Sequence, residues 1–224
     1  MKGNIMTTTK AYKGLPMEGI IASWYTKTTL KDLKRHQLMA KQLVEKIPTN
    51  GSVLEIAPGP GYFCIELAKL GNYQITGLDI SKSFVEIARK NAQEAGLKID
   101  FREGNASTMP FQNNTFDFTF CQAAFKNFSE PVKAIAEMYR VLLPGGISVI
   151  SDLRRDASAE EIDREVKGMG LGRINEFLVR WTFDKMLLKS AYSVADMKSM
   201  IKQTPFGKGK IEVEGVGFRV WLEK

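Results

Sequence analysis

The feature that most constrains the fold of this chain is the alternation of short apolar runs and helical segments between residues 50 and 152. The predicted strands are Ser52–Ala57, Tyr73–Asp79, Lys98–Glu103, Thr115–Cys121 and Ile147–Asp152, and the predicted helices are Tyr62–Leu70, Ser81–Gly96 and Pro131–Leu142. Strands separated by helices of about 10–15 residues pair in parallel through right-handed crossovers. The alternation therefore predicts a doubly wound α/β fold.

The segments on either side of this block do not continue its alternation of strands and helices. After it, Ser158–Lys189 and Val194–Gln203 have amphipathic helical spacing, and we expect a helical cap at about residues 156–203. Lys210–Glu214 and Gly217–Glu223 alternate around a short Gly-Val link, which predicts an antiparallel hairpin at the end of the parallel sheet. Before the block, residues 1–49 are predicted to form an N-terminal helical lid segment, separate from a domain over residues 50–224.

Within that lid segment, Thr29–Lys46 carries an apolar stripe and ends at Pro48, so we expect one helix there. Thr29 and Asp32 approximate a capping box at its start. The preceding aromatic stretch, residues 15–25, is predicted to be irregular.

Composition excludes several classes of protein. Hydrophobic residues make up 44% and charged residues 25% of the 224, as in ordinary globular chains and unlike disordered ones. Two cysteines and one histidine are too few for a Cys/His zinc cluster, and we predict no metal, although an all-carboxylate site stays open. Residues 1–10 lack an apolar leader and no apolar run spans a bilayer, so a cytoplasmic protein with reduced thiols is expected.

The charge is unevenly distributed. The chain has a net charge of +7, and residues 1–50 hold nine Lys or Arg against three Asp or Glu. This excess indicates a solvated basic surface, attraction of an anionic substrate, or a weak nucleic-acid or membrane footprint. Because no run of five like charges occurs, nucleic acid is not an expected partner.

Chemistry-bearing residues cluster where the first three predicted strands end. The stretch Val53–Phe63 ends a strand, turns on glycines and begins a helix, so that a ligand can approach the backbone at a helix N-terminus. Asp79 ends the second strand, where a carboxylate suits the two hydroxyls of a ribose. Asn105 follows the third strand and can bind the edge of an adenine. Each feature alone could be a turn or a cap; their order indicates a nucleoside-bearing cofactor.

These residues resemble the class I S-adenosylmethionine-dependent methyltransferases, in the small-molecule branch that includes quinone-biosynthesis C-methyltransferases. The likeness runs from about Asn50 to Asp152. Glu55, Gly59 and Gly61 match the family's first motif, and Ala57 stands where its first glycine usually is. The resemblance implies a Rossmann-like methyltransferase fold, S-adenosylmethionine as cofactor and S-adenosylhomocysteine as product. It also implies direct in-line methyl transfer to a small-molecule nucleophile.

The resemblance also implies a set of cofactor-binding residues. They are Glu55, Ala57, Gly59, Pro60, Gly61, Asp79, Ile80, Phe84, Asn105, Ala106, Cys121, Gln122 and, from the lid segment, Tyr25. Three alternatives remain: an RNA or protein methyltransferase, a module that binds the cofactor without turnover, and a nicotinamide-dependent oxidoreductase. The last would need a glycine where Cys64 stands.

The substrate side must come mainly from the flanking segments. Candidate substrate-binding residues are Glu18, Trp24, Lys126, Arg154 and Arg155. The catalytic residue is unknown, and the candidates for a base are Tyr25, His36 and Asp152, each with packing or helix electrostatics as the simpler explanation. We expect an anionic or aromatic small molecule as substrate; the methylated atom and the oligomeric state stay open.

Overall fold

The computed structural model describes residues 12–13, 17–29, 33–170, 172–182 and 187–224. The strands are β1 Ser52–Ile56, β2 Gln74–Asp79, β3 Asp100–Glu103, β4 Phe116–Gln122, β5 Leu142–Leu153, β6 Lys210–Glu214 and β7 Gly217–Glu223. The helices are α1 Gly19–Thr29, α2 Leu33–Leu43, α3 Tyr62–Ala68, α4 Lys82–Glu94, α5 Pro131–Val141, α6 Ala159–Gly168, α7 Arg173–Thr182 and α8 Val194–Lys202.

The strands form one sheet in the order β3-β2-β1-β4-β5-β7-β6. The first five strands are parallel, β7 runs antiparallel to β5, and β6 pairs antiparallel with β7. The predicted doubly wound, mostly parallel sheet with a terminal antiparallel hairpin is confirmed. From β1 the sheet extends one way through β2 and β3 and the other way through β4 and β5. A crevice therefore opens between β1 and β4, at their carboxyl ends.

Apolar residues cover both faces of the sheet because the strands are buried on both sides. Leu54 and Ile150 pack in one cluster with α5 and α8, whereas Val53 and Val149 pack in another with α2, α3 and α4. Neighbouring residues of a strand point to opposite faces, which explains why each strand serves both clusters. The helices are held to the sheet by these two layers, and the loops at its carboxyl edge are left to form a site.

The lid segment differs from its predicted structure. The stretch predicted to be irregular, residues 15–25, overlaps the first part of α1, and Thr29 is the last residue of that helix rather than the cap of the next one. The hydroxyl of Thr29 donates to the carbonyl of Tyr25, four residues earlier, which is the back-bonding that Thr makes inside a helix. Asp32, the other half of the predicted capping box, lies outside the described residues.

Serine side chains cap three of the described helices. Ser81 caps α4 by accepting a hydrogen bond from the Phe84 amide, and Ser158 and Ser193 cap α6 and α8 through capping boxes. The hairpin turns at Gly215, which has a φ of +54°. Among the described residues, no helix has both the length and the apolar character needed to cross a bilayer.

Candidate functional site

A cavity of ≈ 720 Å³ lies at the carboxyl ends of β1, β2 and β4. It is lined by all the predicted cofactor residues except Gly61 and Cys121, and by the predicted substrate residues Glu18, Trp24 and Lys126. Of the three candidate bases, Tyr25 and His36 line it and Asp152 does not. The cavity is within the usual size range of small-molecule sites, about 300–1,000 Å³.

The turn after β1 brings backbone groups to the cavity wall. Gly59 has a φ of +54°, and a Cβ built there would meet no atom within 4 Å, so this side of the turn is open. Gly61 has a φ of +79° and begins α3, and a Cβ there would lie 2.8 Å from the Phe101 ring. Gly61 therefore lets the turn pack on the sheet, while Gly59 faces the cavity. Ala57 is also left-handed, with a φ of +56°.

Glu55, near the end of β1, is a buried carboxylate on the cavity wall. Its Oε2 atom accepts hydrogen bonds from the Cys64 amide at 3.2 Å and the Cys64 thiol at 2.8 Å. Burial raises the pKa of Glu55 to about 7, although these bonds oppose the shift. Burial also raises the pKa of the Cys64 thiol well above its ordinary value, with Glu55 adding to the effect. Cys64 is thus an inert donor that positions Glu55.

Asp79, at the end of β2, is the second buried carboxylate. Its Oδ2 accepts from the Gly59 amide at 3.0 Å and its Oδ1 from the Ser81 amide at 2.9 Å, so it joins the glycine turn to the start of α4. Burial raises the pKa of Asp79 to about 6, against the effect of these bonds, and the negative charge of Glu18 adds to the rise. Each oxygen keeps a lone pair with which to accept a ligand hydroxyl.

Two amide side chains, those of Asn105 and Gln122, also line the cavity. The Oδ1 atom of Asn105 already accepts from the amide and hydroxyl of Ser107, at 2.9 Å and 2.8 Å, which leaves its NH₂ group as the free partner. The Oε1 atom of Gln122 is buried and accepts no hydrogen bond from any described residue. A buried acceptor of this kind is costly without a partner, which a ligand donor would supply.

The N-terminal segment is attached to the start of α4. Glu18 accepts hydrogen bonds from the amides of Lys82 and Ser83, each at 3.1 Å, through its two carboxylate oxygens. The Ser81 hydroxyl donates to the Met17 carbonyl at 2.6 Å. Burial raises the pKa of Glu18, but the hydrogen bonds at this helix N-terminus outweigh it and leave the pKa lowered. We call this set of contacts, made by Met17, Glu18, Ser81, Lys82 and Ser83, the lid latch.

Behind the latch, α1 and α2 close the cavity. The Tyr25 ring packs edge-on against Phe84, with centroids 5.7 Å apart, and the Tyr62 hydroxyl donates to the Thr26 carbonyl. His36 lies 5.7 Å from the Tyr62 ring and is half-buried. The predicted aromatic wall of the lid thus reaches the predicted cofactor residues.

On the other side of the cavity, Lys126 and Asp152 form a buried ion pair. Lys126 Nζ lies 3.0 Å from Asp152 Oδ1, and the two side chains are 11% and 1% exposed. Asp152 Oδ2 also accepts from the Lys126 amide at 2.9 Å, so one carboxylate holds both ends of the lysine. Asp152 is therefore withdrawn from the cavity, whose wall Lys126 forms.

The structure gives Arg154 and Arg155 other partners. Arg154 is buried, donates to the Gly215 and Asp156 carbonyls, and pairs with Glu161. Arg155 pairs with Asp196 at 2.6 Å. Neither lines the cavity, because both tie the cap to β5 and the hairpin.

Sequence reasoning missed several residues that line the cavity, among them Tyr12, Met17, Ile21, Arg35, Phe128 and Leu187. Tyr12 forms an antiparallel bridge with Phe128, and burial raises its pKa, with the Asp79 charge adding to the rise. Nothing local in the sequence identifies Tyr12, since its place depends on pairing with a residue far along the chain.

The chain matches known methyltransferases over its central part. Residues 54–150 match the family described as "Methyltransferase domain". It is 37% identical over 107 residues to a demethylmenaquinone methyltransferase of Deinococcus radiodurans, covering 47% of this chain and 44% of that protein. It is 32% identical over 120 residues to the protein of the same name in Thermus thermophilus, covering 53% and 54%. The chain thus spans about half the length of these curated relatives.

Solved structures resemble it over nearly its whole length. A putative S-adenosylmethionine-dependent methyltransferase of Methanococcus maripaludis superposes with a TM-score of 0.76 at 20% identity, covering 96% of this chain and 97% of that one. A methyltransferase dependent on the same cofactor from Aquifex aeolicus gives a TM-score of 0.66 at 20% identity, covering 90% and 97%. At these identities the likeness establishes the fold.

Proposed function

We infer that this chain, whose residues 54–150 match the methyltransferase domain family, transfers a methyl group from S-adenosylmethionine to a small molecule. The observation that carries the proposal is the meeting of two buried carboxylates, Glu55 and Asp79, with the glycine turn in one cavity at the β1–β4 switch point. Acids beside an open backbone turn suit a ligand with hydroxyl and ammonium groups.

The residues present fit that cofactor from end to end. Asp79 would accept the ribose hydroxyls, and Glu55 with the buried Gln122 Oε1 would accept from the ammonium of the methionine portion. Ile80 and Phe84 would pack on the adenine. Because the oxygen of Asn105 is occupied by Ser107, its NH₂ group would donate to a ring nitrogen of the adenine. The open space beside Gly59 would admit the ligand close to the backbone.

When bound, S-adenosylmethionine supplies a sulfonium-activated methyl group, and direct in-line displacement needs little covalent chemistry from the protein. The chain would bind the two reactants, align them and exclude water. The lid latch and α1 cover the cavity at the cofactor side, with Tyr25 against Phe84. The acceptor would enter between this lid and the loop after β4, where Lys126 and Phe128 line the wall.

The acceptor we propose is an aromatic or anionic small molecule. The named relatives methylate demethylmenaquinone, and the cavity of this chain has aromatic walls at Trp24, Tyr25 and Phe128. The predicted division into a lid over residues 1–49 and a catalytic domain over residues 50–224 is part of this proposal.

Thermal unfolding with S-adenosylmethionine, S-adenosylhomocysteine and NAD in parallel tests the cofactor. A ligand at 100 times its Kd adds about 2.7 kcal/mol, which is a Tm rise of roughly 5–11 °C for a chain of this size. We expect a rise with both sulfur compounds and none with NAD. The Asp79→Asn variant should lose most of the rise, whereas exposed Asp100→Asn should keep it. A rise with NAD alone would contradict the proposal.

A further inference from the structure

We propose that Lys126 binds the acceptor as its anion, so that the enzyme selects phenolic acceptors that reach the cavity ionised. The inference rests on the proposed methyl transfer and goes beyond it by assigning both the acceptor class and the residue that selects it. Three observations carry it: the position of Lys126, the way its ammonium is held, and the strain of the loop that bears it.

Lys126 lies across the cavity from the acidic cofactor groups. It follows β4, whereas Asp79 ends β2, and β1 runs between those two strands in the sheet. It is the single lysine among the described residues that line the cavity. Phe128, two residues on, lines the same wall, as does Trp24 from the lid. The cavity lining thus combines the cations Lys126 and Arg35 with aromatic side chains, which suits a ligand that is both aromatic and negatively charged.

The ammonium group of Lys126 is held by two hydrogen bonds and has a third N–H donor that could bind a ligand. Lys126 Nζ donates to Asp152 Oδ1 at 3.0 Å and to the Ala123 carbonyl at 2.8 Å. An ammonium has three N–H donors, and the third has no partner among the described residues. Asp152 also accepts from the amides of Lys126 and Leu153, so both of its oxygens already have protein donors. A phenolate oxygen would complete the hydrogen bonding of the lysine.

The loop that presents Lys126 is strained. Ala123 has a φ of +55°, a conformation that costs an L-residue about 1–2 kcal/mol, and it turns its carbonyl toward the ammonium. Such strain is typical of functional sites. A buried ion pair is also no more stabilising than well-packed apolar residues of the same size. Because a contribution to stability does not by itself account for a buried ion pair, we assign the pair to the acceptor.

The transfer step then needs no protein base. The acceptor binds as a phenolate after its proton has left to water. Either a lone pair on its oxygen or the ring π electrons at an ortho carbon then form the bond to the methyl carbon. The carbon–sulfur bond breaks, and its electron pair stays on sulfur, which becomes a neutral thioether. In attack by carbon, the ring regains aromaticity by losing the proton of that carbon to water.

The probe for this role is 4-nitrophenol, whose ionised form absorbs visible light, added to the protein saturated with S-adenosylhomocysteine. We expect the bound probe to ionise with a constant at least about tenfold larger than free in solution, because a nearby cation favours the anion. The Lys126→Gln/Asp152→Asn variant removes both charges and leaves no orphaned carboxylate. It should bind S-adenosylhomocysteine normally and lose the enhanced ionisation of the probe.

Lys133→Gln is the matched control, because this lysine of α5 is exposed and pairs with Glu130, which precedes the helix. It should behave as the wild type does. Equal enhancement in the doubly neutral variant, or no probe binding by the wild type, would overturn the role of Lys126. Failure of the wild type to bind S-adenosylhomocysteine would instead overturn the proposed function, and the inference with it.

Discussion

Two alanines in left-handed backbone conformations flank the cavity. Ala57 follows β1 with a φ of +56°, and Ala123 follows β4 with a φ of +55°. Each bends the chain sharply at the carboxyl end of a central strand, and each carries a Cβ that disfavours the conformation. At Ala57 the bend is held by the amide, which donates to the Leu78 carbonyl at 2.7 Å. The contact with β2 thus maintains a conformation that glycine would adopt at lower cost.

Replacing Ala57 by glycine should stabilise the protein. Removing the Cβ relieves about 1 kcal/mol of strain, which corresponds to a Tm rise of roughly 2–4 °C. Scanning calorimetry of the apo protein measures it. The control is Ala95→Gly, because Ala95 has a right-handed φ of −81° and glycine there should lower the Tm. A lower Tm for Ala57→Gly would show that the Cβ packs usefully in the turn.

At the scale of elements, residues 17–29 of the lid segment are held mainly by contacts with α4, whereas α2 packs in the core against α3. Glu18 and the Met17 carbonyl bond to the first turn of α4, and the Gly19 amide donates to the Ser83 hydroxyl at 2.9 Å. Of α1, Ala22 is fully buried, whereas Ile20 is 88% exposed. Few buried apolar contacts and exposed hydrogen bonds are typical of segments that open locally. We therefore expect the lid latch to control access to the cavity more than it stabilises the fold.

The Glu18→Gln variant should separate these two effects. It replaces the carboxylate at the α4 N-terminus and should cost less than about 1 kcal/mol of stability. Amides of residues 17–29 should exchange faster with deuterium, and S-adenosylhomocysteine should dissociate faster in stopped-flow experiments. Glu86→Gln changes an exposed acid of the same helix and should alter neither rate. Unchanged exchange in Glu18→Gln would mean that other contacts hold the lid.

At the scale of the whole molecule, the buried carboxylates that would bind the cofactor lower the stability of the apo protein at neutral pH. Glu55 and Asp79 are 3% and 5% exposed, and burial holds their pKa values at about 7 and about 6. The folded protein therefore binds protons that the unfolded chain has already lost. Stability from these groups is fully present below their unfolded pKa values of about 4 and decreases as the pH rises through 6 and 7. A ligand whose donors pair with the ionised carboxylates should restore the stability that is lost at neutral pH.

The Glu55→Gln variant should flatten this pH dependence. The amide oxygen can still accept from Cys64 but never ionises, so above pH 7 the apo variant should exceed the wild type by about 3 kcal/mol at most. Below about pH 4, where the wild-type carboxyl is protonated in both the folded and the unfolded state, the two should unfold alike. Denaturant titrations across this pH range measure the free energy of unfolding. The control is Glu94→Gln, which changes an exposed acid and should follow the wild-type curve. The same variant should bind S-adenosylmethionine more weakly, and parallel pH curves would contradict the assigned burial cost.

Several features of the molecule can be predicted because they depend on short-range patterns. Period-2 and period-3.6 apolar spacing identifies β1 to β5 and the helices between them. The handedness of crossovers then brings the ends of β1 and β2 to one edge, so Glu55 and Asp79 meet in the cavity as the sequence predicts. The prediction that residues 15–25 are irregular is wrong, because the apolar pattern of α1 is too weak to identify the helix.

The sequence by itself determined the parallel sheet, its terminal hairpin and the cofactor edge, because each depends on local periodicity and on topological rules that all such chains obey. Only the tertiary structure decided the rest. The pair Lys126–Asp152 spans 26 positions and the bond from Lys82 to Glu18 spans 64. Arg154 faces α6 and the hairpin instead of the cavity. Such partners are chosen by which surfaces come together once the core has packed, and no local pattern encodes that choice.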